Sequence, residues 1–162
     1  MMGAVASSAG SPTSSDREAV VALLGREPFT DYRISVRGAD GRPVVLRNAP
    51  TDLRGRPFPT REWLVDPVMD DAVSRLEAAG GVRMLEDDAE MAPHIAAAHE
   101  RHAALHAGYR IAGSGNPAYV KCLHAHLAFA LGEGGNPVGD WIMARAGITW
   151  PDPPAADGTA DG

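Results

Sequence analysis

The chain has 162 residues, of which 44% are hydrophobic and 6% aromatic, a composition typical of a single globular domain with its own core. Its formal net charge of −6 argues against a general nucleic-acid-binding protein, because such proteins usually carry a basic excess. The single cysteine excludes an intrachain disulfide, and no apolar run is long enough to span a membrane. We therefore expect a cytoplasmic protein with neither a nucleic-acid partner nor a membrane span.

The two ends of the chain differ in composition from the middle. Residues 1–15 are rich in serine, alanine and glycine, and residues 151–162 are rich in proline, alanine, aspartate and glycine. Both segments predict disordered tails, because they hold few side chains that a core could bury. The first segment also lacks the basic and apolar regions of a signal peptide. Residues 16–150 are thus expected to form one domain.

The first part of this domain predicts one helix and a small antiparallel sheet. Residues 16–24 place apolar side chains on one side of a helix that ends at a glycine. Apolar and polar side chains alternate over 32–37 and indicate a strand, and the Asp-Gly pair that follows indicates a hairpin. The returning strand contains residues 44–46, and residues 61–65 predict a third short strand.

The second part of the domain predicts helices over 67–79, 88–109, 117–132 and 137–146. An Asp-Pro pair begins the first of them and Gly-Asn-Pro begins the last two, because aspartate or asparagine caps a helix and proline suits its first residue. Pro93 predicts either a kink in the second helix or a later start. The fold class is therefore α+β, with a small antiparallel sheet of two or three strands followed by a mainly helical half.

The side chains that carry most of the chemistry are concentrated in residues 94–126. This segment holds all six histidines, the only cysteine and the only lysine of the chain. Imidazole and thiol groups titrate near neutral pH, bind metals and attack carbon, so a site is expected here. The residues are His94, His99, His102, His106, Lys121, Cys122, His124 and His126.

Three of these histidines fall on the apolar face of the predicted 88–109 helix, namely His99, His102 and His106. A histidine on such a face must be neutral or paired, because burial of an unpaired imidazolium is costly. One interpretation is therefore that they are hydrogen-bonded interior histidines. Since His102 and His106 are spaced i, i+4, they also suit two metal ligands on one helix.

Cys122, His124 and His126 have the spacing Cys-x-His-x-His, which resembles a metal motif. In a helix, His124 lies about 160° around the axis from the other two, so one straight helix cannot bring all three to one ion. A strand could, but the Asn-Pro start and the length of the segment favour a helix. A zinc ion would more readily be held by Cys122 and His126 together with His102 or His106, as a tetrahedral set.

A different hypothesis is a pocket for a small anionic molecule or metabolite, with a catalytic role. In this pocket Lys121 and an arginine such as Arg37 bind the anion. Cys122 acts as a nucleophile, and His124 moves a proton. The alternative for Cys122 is a small buried hydrophobic side chain, which is the commoner role of a lone cysteine.

Four more residues complete the predicted ligand-binding pocket. His99 and His102 line it from the preceding helix. Asn136 begins the last helix, whose free N–H groups suit a phosphate or carboxylate, and Asp140 closes the pocket. Capping alone also accounts for Asn136. The remaining alternative is a non-enzymatic interaction module, in which the histidines only pack.

Several short motifs together resemble one bacterial family. They are Arg37, Gly41-Arg42-Pro43, Pro57-Phe58-Pro59-Thr60, Trp63-Leu64-Val65-Asp66-Pro67, His99-Glu100, Val120-Lys121-Cys122-Leu123-His124 and Asn136-Pro137-Val138-Gly139-Asp140. Through them, over about residues 18–150, the chain is similar to the domain-of-unknown-function family 501, which is mainly actinobacterial and often encoded beside a septum-formation initiator protein. The resemblance implies a septum-related protein partner and a link to cell division, but no reaction.

The resemblance also implies which positions the family shares. These are Lys121, Cys122, His124, Asn136, Pro137, Gly139 and Asp140, with Arg37 and His99 less specific. The chain departs from the family where many members carry cysteines, since such places hold Gly38 and Asp66, and where many carry a histidine, since this chain has Phe129. A metal site that uses those cysteines is therefore not implied here, unless Asp66 replaces one as an oxygen ligand.

Overall fold

A computed structural model describes residues 10–152 and shows an α+β fold, which confirms the predicted class. The strands are β1 (Tyr32–Arg37), β2 (Pro43–Asn48) and β3 (Glu62–Leu64). The helices are α1 (Ser14–Leu24), α2 (Pro67–Ala78), α3 (Gly81–Glu86), α4 (Ala92–Leu105), α5 (Leu123–Gly132) and α6 (Pro137–Ala146), with a 3₁₀ turn at Ile111–Gly113. The strands form one antiparallel sheet in the order β1-β2-β3.

The sheet forms where the alternating pattern predicts it. Ile34 of β1 lies opposite Leu46 of β2, and Trp63 of β3 lies opposite Leu46 on the other side. The central strand β2 is buried on both faces: Val45 packs in the main core with the helices, whereas Leu46 packs with Val20 of α1. The two faces of the sheet therefore separate α1 from the helical half.

Two helices begin where a proline follows a capping residue, as predicted. The Asp66 side chain accepts a hydrogen bond from the backbone N of Met69 at 3.0 Å, before α2. The Asn136 side chain accepts one from the backbone N of Gly139 at 2.8 Å, before α6. Gly139 also lets α6 approach α5 closely, because a Cβ at this position would lie 2.4 Å from the Cβ of Ala130.

The chain between α2 and the 3₁₀ turn differs from the single helix predicted over 88–109. The short helix α3 follows Gly80, which has a left-handed conformation (φ +93°), and it occupies a segment that the sequence does not predict as helical. α4 begins only beside Pro93, which is the later start predicted for that proline. It ends early because Ala107 and Gly108 both have positive φ.

α5 begins at Leu123, so the predicted helical start at residue 117 is wrong. The side chain of Asn116 accepts a backbone hydrogen bond at 2.8 Å from two residues further on, which forms a turn. Lys121 then adopts a left-handed conformation (φ +69°) and Cys122 is extended (φ −147°). Asn-Pro suits the first positions of a turn as well as the start of a helix, and local sequence does not distinguish the two.

α5 lies at the centre of the domain, packed against β3, α2 and α6. The core around it contains Leu64, Val73, Leu123, Leu127, Phe129 and Ile142, all of them buried. The helix is apolar on nearly all sides, which is typical of a central helix. No helix in the described part of the chain is long and apolar enough to cross a bilayer.

The predicted tails fall largely outside the structure, since 1–9 and 153–162 are not among the described residues. Thr13 caps α1, and its hydroxyl accepts a hydrogen bond from the backbone N of Asp16 at 3.1 Å. Near the other end, the Asp152 carboxylate accepts from the backbone N of Ala39 at 2.7 Å and pairs with Arg42 at 2.9 Å. Residue 152 is therefore fastened to the β1–β2 hairpin.

Candidate functional site

The start of α5 brings Cys122 and His124 together with Glu77 of α2. One ligand atom from each of the three side chains lies within 4.8 Å of the other two, and all three residues are half-buried. Cys122 is the residue before the helix, and its Sγ accepts a hydrogen bond from the backbone N of Ala125 at 3.4 Å. Because Cys122 is extended rather than helical, the 160° separation expected in a helix does not apply, and it lies on the same side as His124.

His124 is held by acidic and polar side chains of α2. Its Nδ1 lies 3.3 Å from Oε2 of Glu77, and its Nε2 lies 3.0 Å from Oδ1 of Asp70 and 3.1 Å from Oγ of Ser74. Interaction with the Cys122 side chain, followed by the charge of Glu77, raises the pKa of His124 to about 9, although partial burial acts in the opposite direction. The imidazole is therefore protonated at neutral pH in the absence of a competing cation.

Glu77 also connects α2 to the first turn of α5. Its Oε2 accepts a hydrogen bond from the backbone N of Leu123 at 2.8 Å. Together with Cys122, it thus satisfies two of the N–H groups that a helix leaves unpaired at its start. Glu77 and Cys122 therefore both lie at the start of α5, where the positive end of the helix dipole is located.

A cleft of about 270 Å³ opens beside this group. It is lined by the apolar side chains of Phe58, Trp63, Leu64, Ala112 and Ala125, and by the polar residues Thr60, Glu62, Cys122 and His124. The side chain of Glu62 is fully shielded and pairs with Arg47 at 3.1 Å. Burial raises the pKa of Glu62, whereas the Arg47 guanidinium acts in the opposite direction.

Two histidines of α4, His99 and His102, and His106, which follows its last residue, are buried on one side of the helix, and each forms a hydrogen bond with a backbone carbonyl of a neighbouring loop. Nε2 of His99 is 2.7 Å from the Tyr119 oxygen, and Nδ1 of His102 is 2.7 Å from the Tyr109 oxygen. His106 bonds to a backbone carbonyl in the same way, at 2.9 Å. Burial lowers the pKa of all three, that of His102 to about 4, so they are neutral near pH 7. They connect α4 to the loops on either side of it.

His126 differs from these three because neither of its ring nitrogens has a hydrogen-bond partner in the described residues. The residue is 1% exposed, and its ring lies edge-on to that of His99 with 5.1 Å between ring centroids. Burial, reinforced by the neighbouring His99 and His102, lowers the pKa of His126 to about 3. The backbone of Val120 acts in the opposite direction without forming a hydrogen bond of ordinary geometry.

The structure does not assemble the predicted metal set of Cys122 and His126 with His102 or His106. Within residues 10–152, the one group of three or more His, Cys, Asp or Glu side chains with ligand atoms this close is Glu77, Cys122 and His124. Glu77 is not among the site residues predicted from the sequence. A signal was present, because Asp70, Ser74 and Glu77 are spaced i, i+4, i+7 and therefore form one polar stripe along α2.

The predicted anion-binding residues lie elsewhere or have other partners. The side chain of Lys121 is exposed and donates to the backbone oxygen of Ala112 at 3.0 Å. Arg37 pairs with Asp16 at 3.0 Å, beside α1. Asn136 caps α6, as described above, and Asp140 is exposed in the first turn of that helix.

Comparison with known families places this site within a shared sequence region. A family described as Protein of unknown function (DUF501) matches residues 34–112 and 104–144, more than half of the chain. The chain belongs to the DUF501 family. No curated protein and no solved structure matches it. The DUF501 match includes Glu77, Cys122 and His124, and also the aromatic residues of the cleft.

Proposed function

We propose that this DUF501 protein binds a divalent transition-metal ion, zinc in the first place, through Glu77, Cys122 and His124. The observation that carries the proposal is the convergence of the three ligand atoms, within 4.8 Å of one another, at the wall of a cleft. Thiolate, imidazole and carboxylate are the donors that zinc uses in proteins. Three protein ligands with one open position are typical of a catalytic zinc site, whereas structural sites are usually closed by four.

The charges around the three ligands favour a cation. Asp70 and Glu77 both belong to α2, and each has a carboxylate oxygen within about 3.3 Å of a ring nitrogen of His124. When one ring nitrogen of His124 binds a metal, the other keeps a carboxylate as its partner. This arrangement is usual for zinc-bound histidine, because the carboxylate orients the ring and increases its basicity.

Metal binding must displace the proton that His124 carries. Since the pKa of this imidazole is raised to about 9, the proton and the metal compete throughout the neutral range. The affinity for zinc is therefore expected to rise steeply between pH 6 and pH 9, more steeply than at a site whose histidine has an ordinary pKa of about 6.5.

Titration of the chelator-treated, tag-free protein with Co²⁺ and then Zn²⁺ tests the proposal. We expect one ion per chain and a thiolate-to-cobalt absorption band in the near ultraviolet. Cys122→Ser and His124→Gln are expected to lose more affinity than the ~10–100-fold that is typical of groups outside the ligand set. His94→Gln is the matched control, because His94 is an exposed histidine on α4. The absence of binding, or equal affinity in His124→Gln and His94→Gln, would contradict a metal site at this position.

A second candidate function is covalent catalysis by Cys122 in the metal-free protein. It is favoured by one further observation, namely that the Cys122 Sγ caps α5 beside His124, whose pKa is raised. A helix start and an imidazolium both stabilise a thiolate, which is the nucleophilic form. Glu77 orients the ring from 3.3 Å, as the third group of a Cys-His pair does.

Alkylation by iodoacetamide separates the two candidates. If Cys122 is an activated nucleophile, the metal-free protein is alkylated faster than a free cysteine, and His124→Gln slows the reaction at least about tenfold. His94→Gln should leave the rate unchanged. A rate equal to that of free cysteine in every variant would contradict the nucleophile, and protection by stoichiometric zinc would support the metal site.

A further inference from the structure

The chemistry of the cleft restricts what can reach a metal held by Glu77, Cys122 and His124. Of its polar lining residues, Glu62 is shielded and already paired with Arg47, so its carboxylate is not offered to a ligand. Apart from Cys122 and His124, the remaining polar contact is the Thr60 side chain. The rest of the lining is hydrocarbon or aromatic, and it therefore suits an apolar body rather than a sugar or a phosphate.

Two aromatic residues, Phe58 and Trp63, belong to this apolar lining. Their rings are stacked with 5.9 Å between centroids and 27° between ring planes. Both residues are half-buried. The guanidinium of Arg26 lies 5.5 Å from the Trp63 ring centroid and helps to hold that ring in place. A flat apolar group gains more from such a wall than from aliphatic side chains, because aromatic rings stack.

The net charge of the zinc ion and its protein ligands restricts which chemical group of a bound molecule can reach the metal. The two charges of a zinc ion are balanced by the Cys122 thiolate and the Glu77 carboxylate, while His124 is neutral when it binds metal. Asp70 adds a negative charge beside His124, at 3.0 Å. A neutral oxygen donor such as a carbonyl is therefore accepted more readily at the open position than a second carboxylate. The cleft volume of about 270 Å³ lies just under the range of drug-sized pockets, so it suits a small ligand.

From these three observations we infer that the cleft takes a small aromatic carbonyl compound. Its ring lies on the Phe58–Trp63 wall, and its carbonyl oxygen takes the open position of the metal. This inference rests on the proposed metal site and adds the class of molecule that the metal acts on, since a metal ion polarises a carbonyl that it binds.

Binding of three probes to the cobalt-loaded full chain, followed by the visible spectrum of the ion, tests the inference. Benzamide and acetamide share one neutral head group and differ in the ring, so their ratio of affinities reports the aromatic wall. We expect the aromatic probe to bind at least about tenfold more tightly. Benzamide and benzoate share the ring and differ in the charge of the head group, and we expect benzamide to bind more tightly.

Two variants and a control locate the effect. Trp63→Leu and Phe58→Leu keep an apolar side chain and should each reduce the preference for benzamide over acetamide to below about threefold. Tyr119→Leu should not change it, because Tyr119 is an exposed aromatic residue outside the cleft. If the wild type binds cobalt but both amides with equal affinity, the aromatic occupant is wrong and the metal site remains. Tighter binding of benzoate than of benzamide overturns the inference that the open position prefers a neutral head group. Failure of the wild type to bind cobalt overturns the metal site itself, and this inference with it.

Discussion

Replacement of His126 by leucine is expected to stabilise the domain. The side chain is 1% exposed, and neither ring nitrogen has a hydrogen-bond partner in the described residues. A buried polar group without a partner costs about 1–3 kcal/mol, and this ring has two such nitrogens. Leucine is apolar and of similar size, although a tight fit offsets part of the gain. We therefore expect the free energy of unfolding to rise by about 1–3 kcal/mol, with ~2–4 °C in Tm for each kcal/mol.

The matched control is His99→Leu, because the two rings are neighbours and equally buried. Nε2 of His99 donates to the Tyr119 oxygen at 2.7 Å, and its Nδ1 accepts from the backbone N of Ile111 at 3.2 Å. Leucine leaves the Ile111 N–H unpaired and removes the shorter of two hydrogen bonds to the Tyr119 oxygen, so this variant is expected to lose about 2–4 kcal/mol. The same substitution at two adjacent histidines should thus change stability in opposite directions.

Urea unfolding near neutral pH, followed by circular dichroism, measures both variants against the wild type. If His126→Leu loses as much stability as His99→Leu, the His126 ring is hydrogen-bonded and the reasoning is refuted. Cobalt titration of His126→Leu adds an independent reading. The variant should keep the metal, whereas loss of the metal would favour the set predicted from sequence, in which Cys122 and His126 are both ligands.

Three further outcomes follow from the described contacts. Burial lowers the pKa of His102 from 6.5 to about 4, so on acidification the unfolded chain takes up this proton before the folded chain does. The free energy of unfolding should therefore fall by up to about 3 kcal/mol as the pH drops from 6.5 to 4. Urea unfolding across this range checks the loss, and an NMR titration of the His102 ring with a midpoint near 6.5 would contradict it. Gly139→Ala should destabilise the domain by about 1–3 kcal/mol, because the new Cβ would lie 2.4 Å from that of Ala130. In the control Gly115→Ala, the new Cβ meets no atom of the described residues within 4 Å, so this variant should be nearly neutral. Equal effects of the two substitutions in thermal melts would argue against close α5–α6 packing. Ala112→Gly should stabilise the domain by up to about 1 kcal/mol, because Ala112 has φ +58° and glycine relieves that strain at some entropic cost. A loss of stability in urea unfolding would count against backbone strain at this position of the cleft wall.

Local signals predicted the elements that depend on few residues. The alternation over 32–37, the Asp66-Pro67 start and the Asn136-Pro137 start all give elements at the predicted positions. The same Asn-Pro signal at residue 116 gives a turn, and α5 starts after a left-handed residue at Lys121. Such a residue costs about 1–2 kcal/mol locally. Contacts distant in sequence offset this cost, among them the hydrogen bond from the Leu123 N–H to Glu77.

The candidate site could be predicted in part. The predicted 94–126 segment contains Cys122 and His124, which the structure places within 4.8 Å of each other. Both residues were predicted to lie within one helix, which would place their side chains on opposite sides of that helix. The buried face of α4 was predicted, and there the histidines bond to loop carbonyls, as the interior interpretation requires. Glu77 was missed because an acidic stripe on an amphipathic helix usually faces solvent.

The amino-acid sequence by itself determined the α+β class, the hairpin and the helices whose caps are adjacent to their first turn, because those features depend on periodicity and on hydrogen bonds between near neighbours. Tertiary structure alone decided that Cys122 precedes α5 instead of lying inside it, and that Glu77, 45 residues earlier in the chain, meets it there. The physical reason is that packing of α2 against α5 brings a carboxylate to unpaired N–H groups at the start of a helix, and no local pattern records that contact.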